Sequence, residues 1–309
     1  MSYKDTEKDS PNMDEVLIRI AAIHQQHALK CYLAIKSLKK QFVWPETDWI
    51  KIEDLIASEE PSLDFAILKP DSIPFEPVTR RRHWILAHSI YPYAYFTMQD
   101  WFQKNDAKEI FDYYFEQCAE QNEYLTHNVS VLVAFVQAWS LIRTENQRLR
   151  FIERFCEFVT ATFYGNNHQS YPICEDYHKP TCFHPQTLLE SILKQPGFWG
   201  HNLIAFASIL RIEHQIPEGT FRQLLANLDA QCHWKFEDDA DKPQISFTDS
   251  NQISSHRLAS ACHILLTGSN RNLHQITLAE SICYLFNLAG ISPAQKSQLI
   301  DVILHFSKS

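Results

Sequence analysis

Cys174, His178, Cys182 and His184 follow one another at C-x3-H-x3-C-x-H spacing. Thiolate and imidazole are the donors zinc prefers, and four of them can close a tetrahedral structural site. Glu175 and Asp176 lie in the same stretch and could join the histidines around a harder metal such as iron. The spacing matches no standard zinc module, so a packed loop with hydrogen-bonded histidines is the alternative. A second candidate ligand set is His24, His27 and Cys31, at i, i+3 and i+7, on a stripe that otherwise carries Leu17, Ile20 and Leu38. Metal sites in helical bundles use inward side chains at such spacing, usually with a Glu-x-x-His pair that this stretch lacks. Core-edge histidines are the alternative there.

Two His-Asn pairs open the most apolar runs of the chain. His127-Asn128 precedes Val129 to Phe135, and His201-Asn202 precedes Leu203 to Leu210. A ring at a helix start, beside free amide N–H groups, suits an anionic substrate group, although Asn202 could simply cap its helix. Gly197, Trp199 and Gly200 form a tight aromatic turn before His201 that could line a pocket mouth. Arg80, Arg81 and Arg82 could clamp a carboxylate or phosphate, or could start a solvated turn. Glu116, Glu120, Glu123 and His127 share one helix face, which reads either as acid–base machinery or as a solvated stripe. The candidate catalytic set is therefore His178, His184, His201 and His127, with Arg82, Trp199 and Asn202 as substrate contacts.

Composition removes other chemistries. The 309 residues include only 6 glycines, and neither phosphate-cradling glycine pattern is present, so no nucleotide cofactor is expected. A net charge of -9 argues against a duplex-binding surface. There is no G-x-S-x-G elbow and no H-E-x-x-H. The eight cysteines include no C-x-x-C pair and are scattered through apolar runs, which predicts reduced thiols in a cytosolic protein. The charged N-terminus offers no signal-peptide core. The most apolar stretch, 129–142, is too short for a membrane span, for which about 20 residues are needed. These features predict a soluble, cytoplasmic protein.

The elements that must hold these residues are helices. Apolar residues recur at steps of three and four, and strand signals are nearly absent. The pattern predicts an all-α fold, an array of about ten to eleven antiparallel helices in a single domain over 13–309 after a tail at 1–12. Helices are expected at 14–42, 48–58, 82–104, 107–143 (bending or splitting near Asn122 to Asn128), 146–164, 186–194, 201–214, 218–231, 253–267, 275–289 and 293–306. A proline-rich segment at 59–80 and a loop at 165–185 interrupt them. Pro217 and Pro293 mark helix starts, and Gly290 marks a helix stop. At an offset of 75, Leu210, Ile216, Leu224 and Leu228 align with Leu285, Ile291, Leu299 and Ile303. That echo suits a duplicated helical hairpin in the C-terminal half, as well as the chance similarity of amphipathic helices.

Two functions fit this reading. One is an enzyme acting on a small organic molecule through a histidine-rich pocket holding Fe or Zn, with oxidative or acid–base chemistry. The other is a helical adaptor that binds a protein partner. Convergence of the distant histidines on one enclosed place separates the two.

Overall fold

The computed structural model describes residues 12–20, 26–63, 79–88, 91–164, 171–178, 184–248, 254–268 and 271–308. Among them are fourteen α-helices and no strand; two isolated bridges are the only β pairing. The helices are α1 (Met13–Leu17), α2 (His27–Gln41), α3 (Glu46–Glu59), α4 (Arg82–His88), α5 (Tyr93–Lys104), α6 (Ala107–Glu120) and α7 (His127–Trp139). They continue as α8 (Glu145–Phe163), α9 (Pro185–Lys194), α10 (His201–Arg211), α11 (Glu218–Cys232), α12 (Ser255–Thr267), α13 (Leu273–Phe286) and α14 (Pro293–Phe306). The all-α expectation holds, with more helices than expected because three long periodic runs are broken.

Each break has a local cause. The run over 14–42 divides because the chain after α1 pairs with the segment following α3. Ile20 donates to the Pro61 carbonyl and Leu63 donates to that of Ile18. The run over 82–104 breaks before Pro92, which has no N–H to give and restricts the residue before it. The run over 107–143 breaks where expected, at a 3-10 turn, Tyr124–Thr126, in which Leu125 and Thr126 have positive φ. Where the sequence carries a clear start signal the end matches: Pro293 begins its helix behind a Ser292–Gln295 capping box, whereas α13 starts at Leu273 behind an Asn272–Gln275 capping box, two residues before the expected start.

Four helices form the inner part of the molecule. α2 packs on α7, α7 on α10, α10 on α13, and α13 back on α2, closing a ring. The four run in the same direction. Early residues of each (Lys30, Ser130, Ile204, Thr277) and late ones (Gln41, Gln137, Arg211, Tyr284) line a single central cavity. The sequence of α10 is buried without interruption from His201 to Ile209, and that of α7 from His127 to Phe135. Helices apolar on every face belong inside a layer of others. That outer layer includes α3, α6, α11, α12 and α14. The aligned segments of the C-terminal half fall in two inner–outer hairpins, α10 with α11 and α13 with α14.

The aromatic residues pack as core. Phe102, Phe111, Phe135, Phe151 and Phe155 interlock between α5, α6, α7 and α8, with Phe135 and Phe155 ring centres 5.1 Å apart. No helix among the described residues is long and apolar enough to cross a membrane.

Candidate metal centre

A histidine stands at the start of every inner helix. His27, His127 and His201 are the first residues of α2, α7 and α10, and His274 is the second of α13. Parallel packing therefore gathers four imidazoles at one end of the ring. Their centres follow the order of the helices: His27 to His274 4.7 Å, His274 to His201 4.9 Å, His201 to His127 4.6 Å, and His127 to His27 6.1 Å.

The turns before the helices aim these rings. Gln26, Thr126 and Gly200, each immediately before a histidine, have left-handed backbone, with φ of 45°, 51° and 73°. Such residues store roughly 1–3 kcal/mol of strain at non-glycine positions and persist only where neighbours enforce them. The entrances to α7 and α10 are built alike. A 3-10 turn with two left-handed residues (Leu125-Thr126, Trp199-Gly200) leads into His-Asn. In each, the asparagine Nδ2 donates to a glutamine carbonyl seven residues back, Asn128 to Gln121 and Asn202 to Gln195. Gln231 of α11 ties the two together by donating to both Thr126 Oγ1 (2.7 Å) and Asn202 Oδ1 (2.8 Å). At Gly200 a Cβ would lie 2.5 Å from Leu278 Cδ1, so any larger residue there would have to displace the buried Leu278 side chain of α13.

Electrostatics keep the rings uncharged. Burial is the largest cause, and it pushes His27, His127 and His201 well below the usual imidazole range. The ammonium of Lys30 and neighbouring imidazoles act in the same direction. His274 is lowered to about 4, again by burial first and then by Lys30. Neutral rings keep the lone pair a metal needs. Two carboxylates balance the positive helix ends: Glu60 accepts from the amides of His27 (2.9 Å) and Ala28 (2.8 Å), and Glu123 accepts from that of Asn128 (3.1 Å).

Ring orientation follows from these bonds. The His201 Nδ1–H donates to the Phe198 carbonyl, leaving Nε2 as an acceptor 2.9 Å from His127 Nε2. Glu60 Oε1 lies 3.8 Å from His27 Nδ1, on the side of the ring away from Nε2. His27 Nε2 is buried with no hydrogen-bond partner. Donor atoms of His27, His127 and His274 all lie within 4.8 Å of one another, and no other group of three metal-donor side chains does so among the described residues. Two nitrogens on one tetrahedral ion sit roughly 3.3 Å apart, given bonds near 2.0–2.1 Å, so the rings need a modest contraction to share an ion.

The remaining sequence candidates fall elsewhere. His24 and Cys182 lie outside the described residues. His178 and His184 are exposed and Cys174 is half-buried. The segment carrying Cys174 is pinned to the end of α11: Cys174 N donates to the His233 carbonyl, and the Tyr177 hydroxyl to Asp229. The Cys31 thiol is spent on the Leu273 carbonyl, tying α2 to α13, and burial pushes it up. Arg82 stacks over Trp101 at 4.4 Å, and Asn202 has its amide groups committed to the turn. Trp199 is half-buried, stacks on Phe306 and lines a cleft of about 630 Å³ together with Phe198, Lys242 and Gln244. Glu116 and Glu120 are exposed, leaving Glu123 to serve α7. The residue missed by sequence reasoning is His274. Its signal was present: each ring histidine is followed by Ala, Asn or Gln and then by Leu, Val or Ile.

Comparison with family models, curated proteins and solved structures gives no match.

Proposed function

We infer that the chain is a metal-dependent enzyme whose centre is the imidazole ring, with His27, His127 and His274 as ligands. The observation carrying this reading is the convergence of rings from four helices on a place where His27 Nε2 is buried and unpaired. A lone pair left without a donor in a protein interior carries a desolvation cost, and a cation relieves it. Three neutral imidazoles with an open position are the ligand pattern of catalytic zinc, and imidazole also suits iron. No carboxylate belongs to the set, which favours zinc and acid–base chemistry over the mixed His–carboxylate iron sites.

His201 is the proton acceptor in this scheme. Its Nδ1–H is held by the Phe198 carbonyl, and its Nε2 faces His127. A metal held through His127 Nε2 would require that ring to carry its proton on Nδ1 instead, which would leave His201 Nε2 as an unengaged base beside the site. The substrate is a small organic molecule that approaches from the cleft at Trp199 and Phe306. Phe198 lines that cleft and touches the rings of both His201 and His274, at 5.9 Å from each. Convergence of the histidines favours an enzyme over an adaptor. Among the described residues seven cysteines are free, five of them buried, which supports a reducing compartment.

The test is metal analysis of the purified chain. About one equivalent of zinc or iron per chain is expected, lost in His127→Ala and His274→Ala and retained in the doubly substituted His178→Ala/His184→Ala. Wild-type protein that binds no transition metal, even when offered it after purification, would sink the reading.

A further inference from the structure

The inner helices enclose more than the imidazole end. Beyond the first turn they surround a cavity of about 610 Å³, large enough for a small organic ligand. Its charged lining is almost entirely positive. Lys30, Lys36, Lys40 and Arg211 face the single carboxylate of Glu280, which Arg211 Nη2 already neutralises at 2.7 Å from both oxygens. Lys36 and Lys40 are exposed, and neither makes an ion pair among the described residues.

Lys30 is different from those two. It is buried at 6% exposure, and its Nζ donates to Ser130 Oγ at 3.3 Å. No carboxylate lies within ion-pair distance of it among the described residues, and Glu60, which acts on it from farther off, is already held by the His27 and Ala28 amides. An ammonium taken out of water with no direct ion-pair partner costs several kcal/mol and is kept only where something compensates it. Nearby walls are apolar, made by Ala34, Val133, Ala134 and Ile204. A buried cation beside apolar walls, under a cationic rim, describes a ligand with an anionic head and an apolar body.

We propose that this four-helix channel binds a small organic carboxylate, its head on Lys30 Nζ and Ser130 Oγ and its body against Ala34, Val133 and Ile204. Lys36 and Lys40 draw the anion in at the C-terminal ends of the helices. The site stands on the cavity and on Lys30, so it does not depend on a metal at the imidazoles. Whether the two act together is a separate matter of charge: a carboxylate on Lys30 would cancel the cation one helical turn from the ring.

Calorimetric titration of the metal-stripped full-length chain tests this, with hexanoate, its neutral analogue hexanamide, and inorganic phosphate as probes. Hexanoate is expected to bind, and hexanamide to bind at least about tenfold more weakly, the ratio a charge-assisted hydrogen bond supplies. Lys30→Met is expected to cost hexanoate a similar factor. The exposed pair Lys36→Glu/Lys40→Glu, which leaves the interior untouched, is expected to weaken it severalfold. Absence of hexanoate binding, equal binding of hexanamide, or unchanged affinity in the rim variant overturns the proposal. Phosphate binding more tightly than hexanoate overturns the assignment to a carboxylate. His274→Ala is expected to keep hexanoate binding, so loss of the metal reading would leave this one standing.

Discussion

Two regions of this chain are rich in metal-binding side chains, and they are organised in opposite ways. The segment containing Cys174, His178 and His184 crowds its donors within a few residues, yet the structure leaves both histidines exposed and fixes the segment through Tyr177 and backbone bonds. The imidazole ring draws its members from residues 27, 127, 201 and 274, and buries them among four helix ends. Closeness along the chain gave the first region its apparent meaning. Parallel helix packing, which puts equivalent first turns at one level, made the second. A loop must supply its own geometry, whereas a ring of helices supplies it to any residue type placed at the first turn.

The sharpest way to break this contrast is metal binding. His127→Ala or His274→Ala is expected to weaken zinc binding by more than about a hundredfold, since a total of roughly 10–16 kcal/mol shared among the ligands of a zinc site leaves several kcal/mol for each. His178→Ala/His184→Ala should change it by less than about twofold. Competition titration against a chromophoric chelator reads both. Equal losses in the two variants would erase the distinction.

Next in size is the scaffold that aims the rings. Gly200→Ala places a Cβ at a φ of 73° and against Leu278, and should lower unfolding free energy by about 1–3 kcal/mol in urea titration. Gln231→Ala, which leaves Asn202 Oδ1 and Thr126 Oγ1 without their donor, belongs in the range of about 1–3 kcal/mol. Tyr177→Phe removes one hydroxyl bond from the pinned segment and should cost about 0.5–1.5 kcal/mol.

A subtler test uses acid. In the folded chain His274 takes its proton only near pH 4, whereas an unfolded histidine does so near 6.5. Below about pH 6.5 the unfolded state therefore binds more protons, and stability of the metal-free protein must fall as pH drops toward 4. His127 and His201, lowered by the same burial, add to that slope. Replacing His274 with Gln should flatten the decline measured by thermal melting.

Much of the helical framework was legible because its signals are local. Apolar spacing of three and four, Pro217 and Pro293 beside helix starts, and the Ser292 cap depend only on neighbours in the chain. The breaks after Leu17 and before Pro92 were less so. The first arises from pairing with residues 61–63, a distant partner no periodicity reveals. At the site, His127 and His201 were legible because each opens a strongly apolar run. His27 was legible only as a member of a same-helix trio, in which Cys31 turned out to serve the backbone of Leu273. His274 was passed over because the helix was expected to start at residue 275, one position beyond it. Which runs become inner helices is decided by packing of the whole chain, and only that choice unites the four rings.

The span of the ring has a consequence for how the protein comes into being. Its members are supplied by segments spread from residue 27 to residue 274, so a nascent chain that has not yet yielded α13 cannot hold the complete set. A nascent chain carrying three of these helices would present unshielded imidazoles and an open flank where α13 belongs, and only its arrival would close both at once. Under the proposed metal reading, capture of an ion would then mark the arrival of α13.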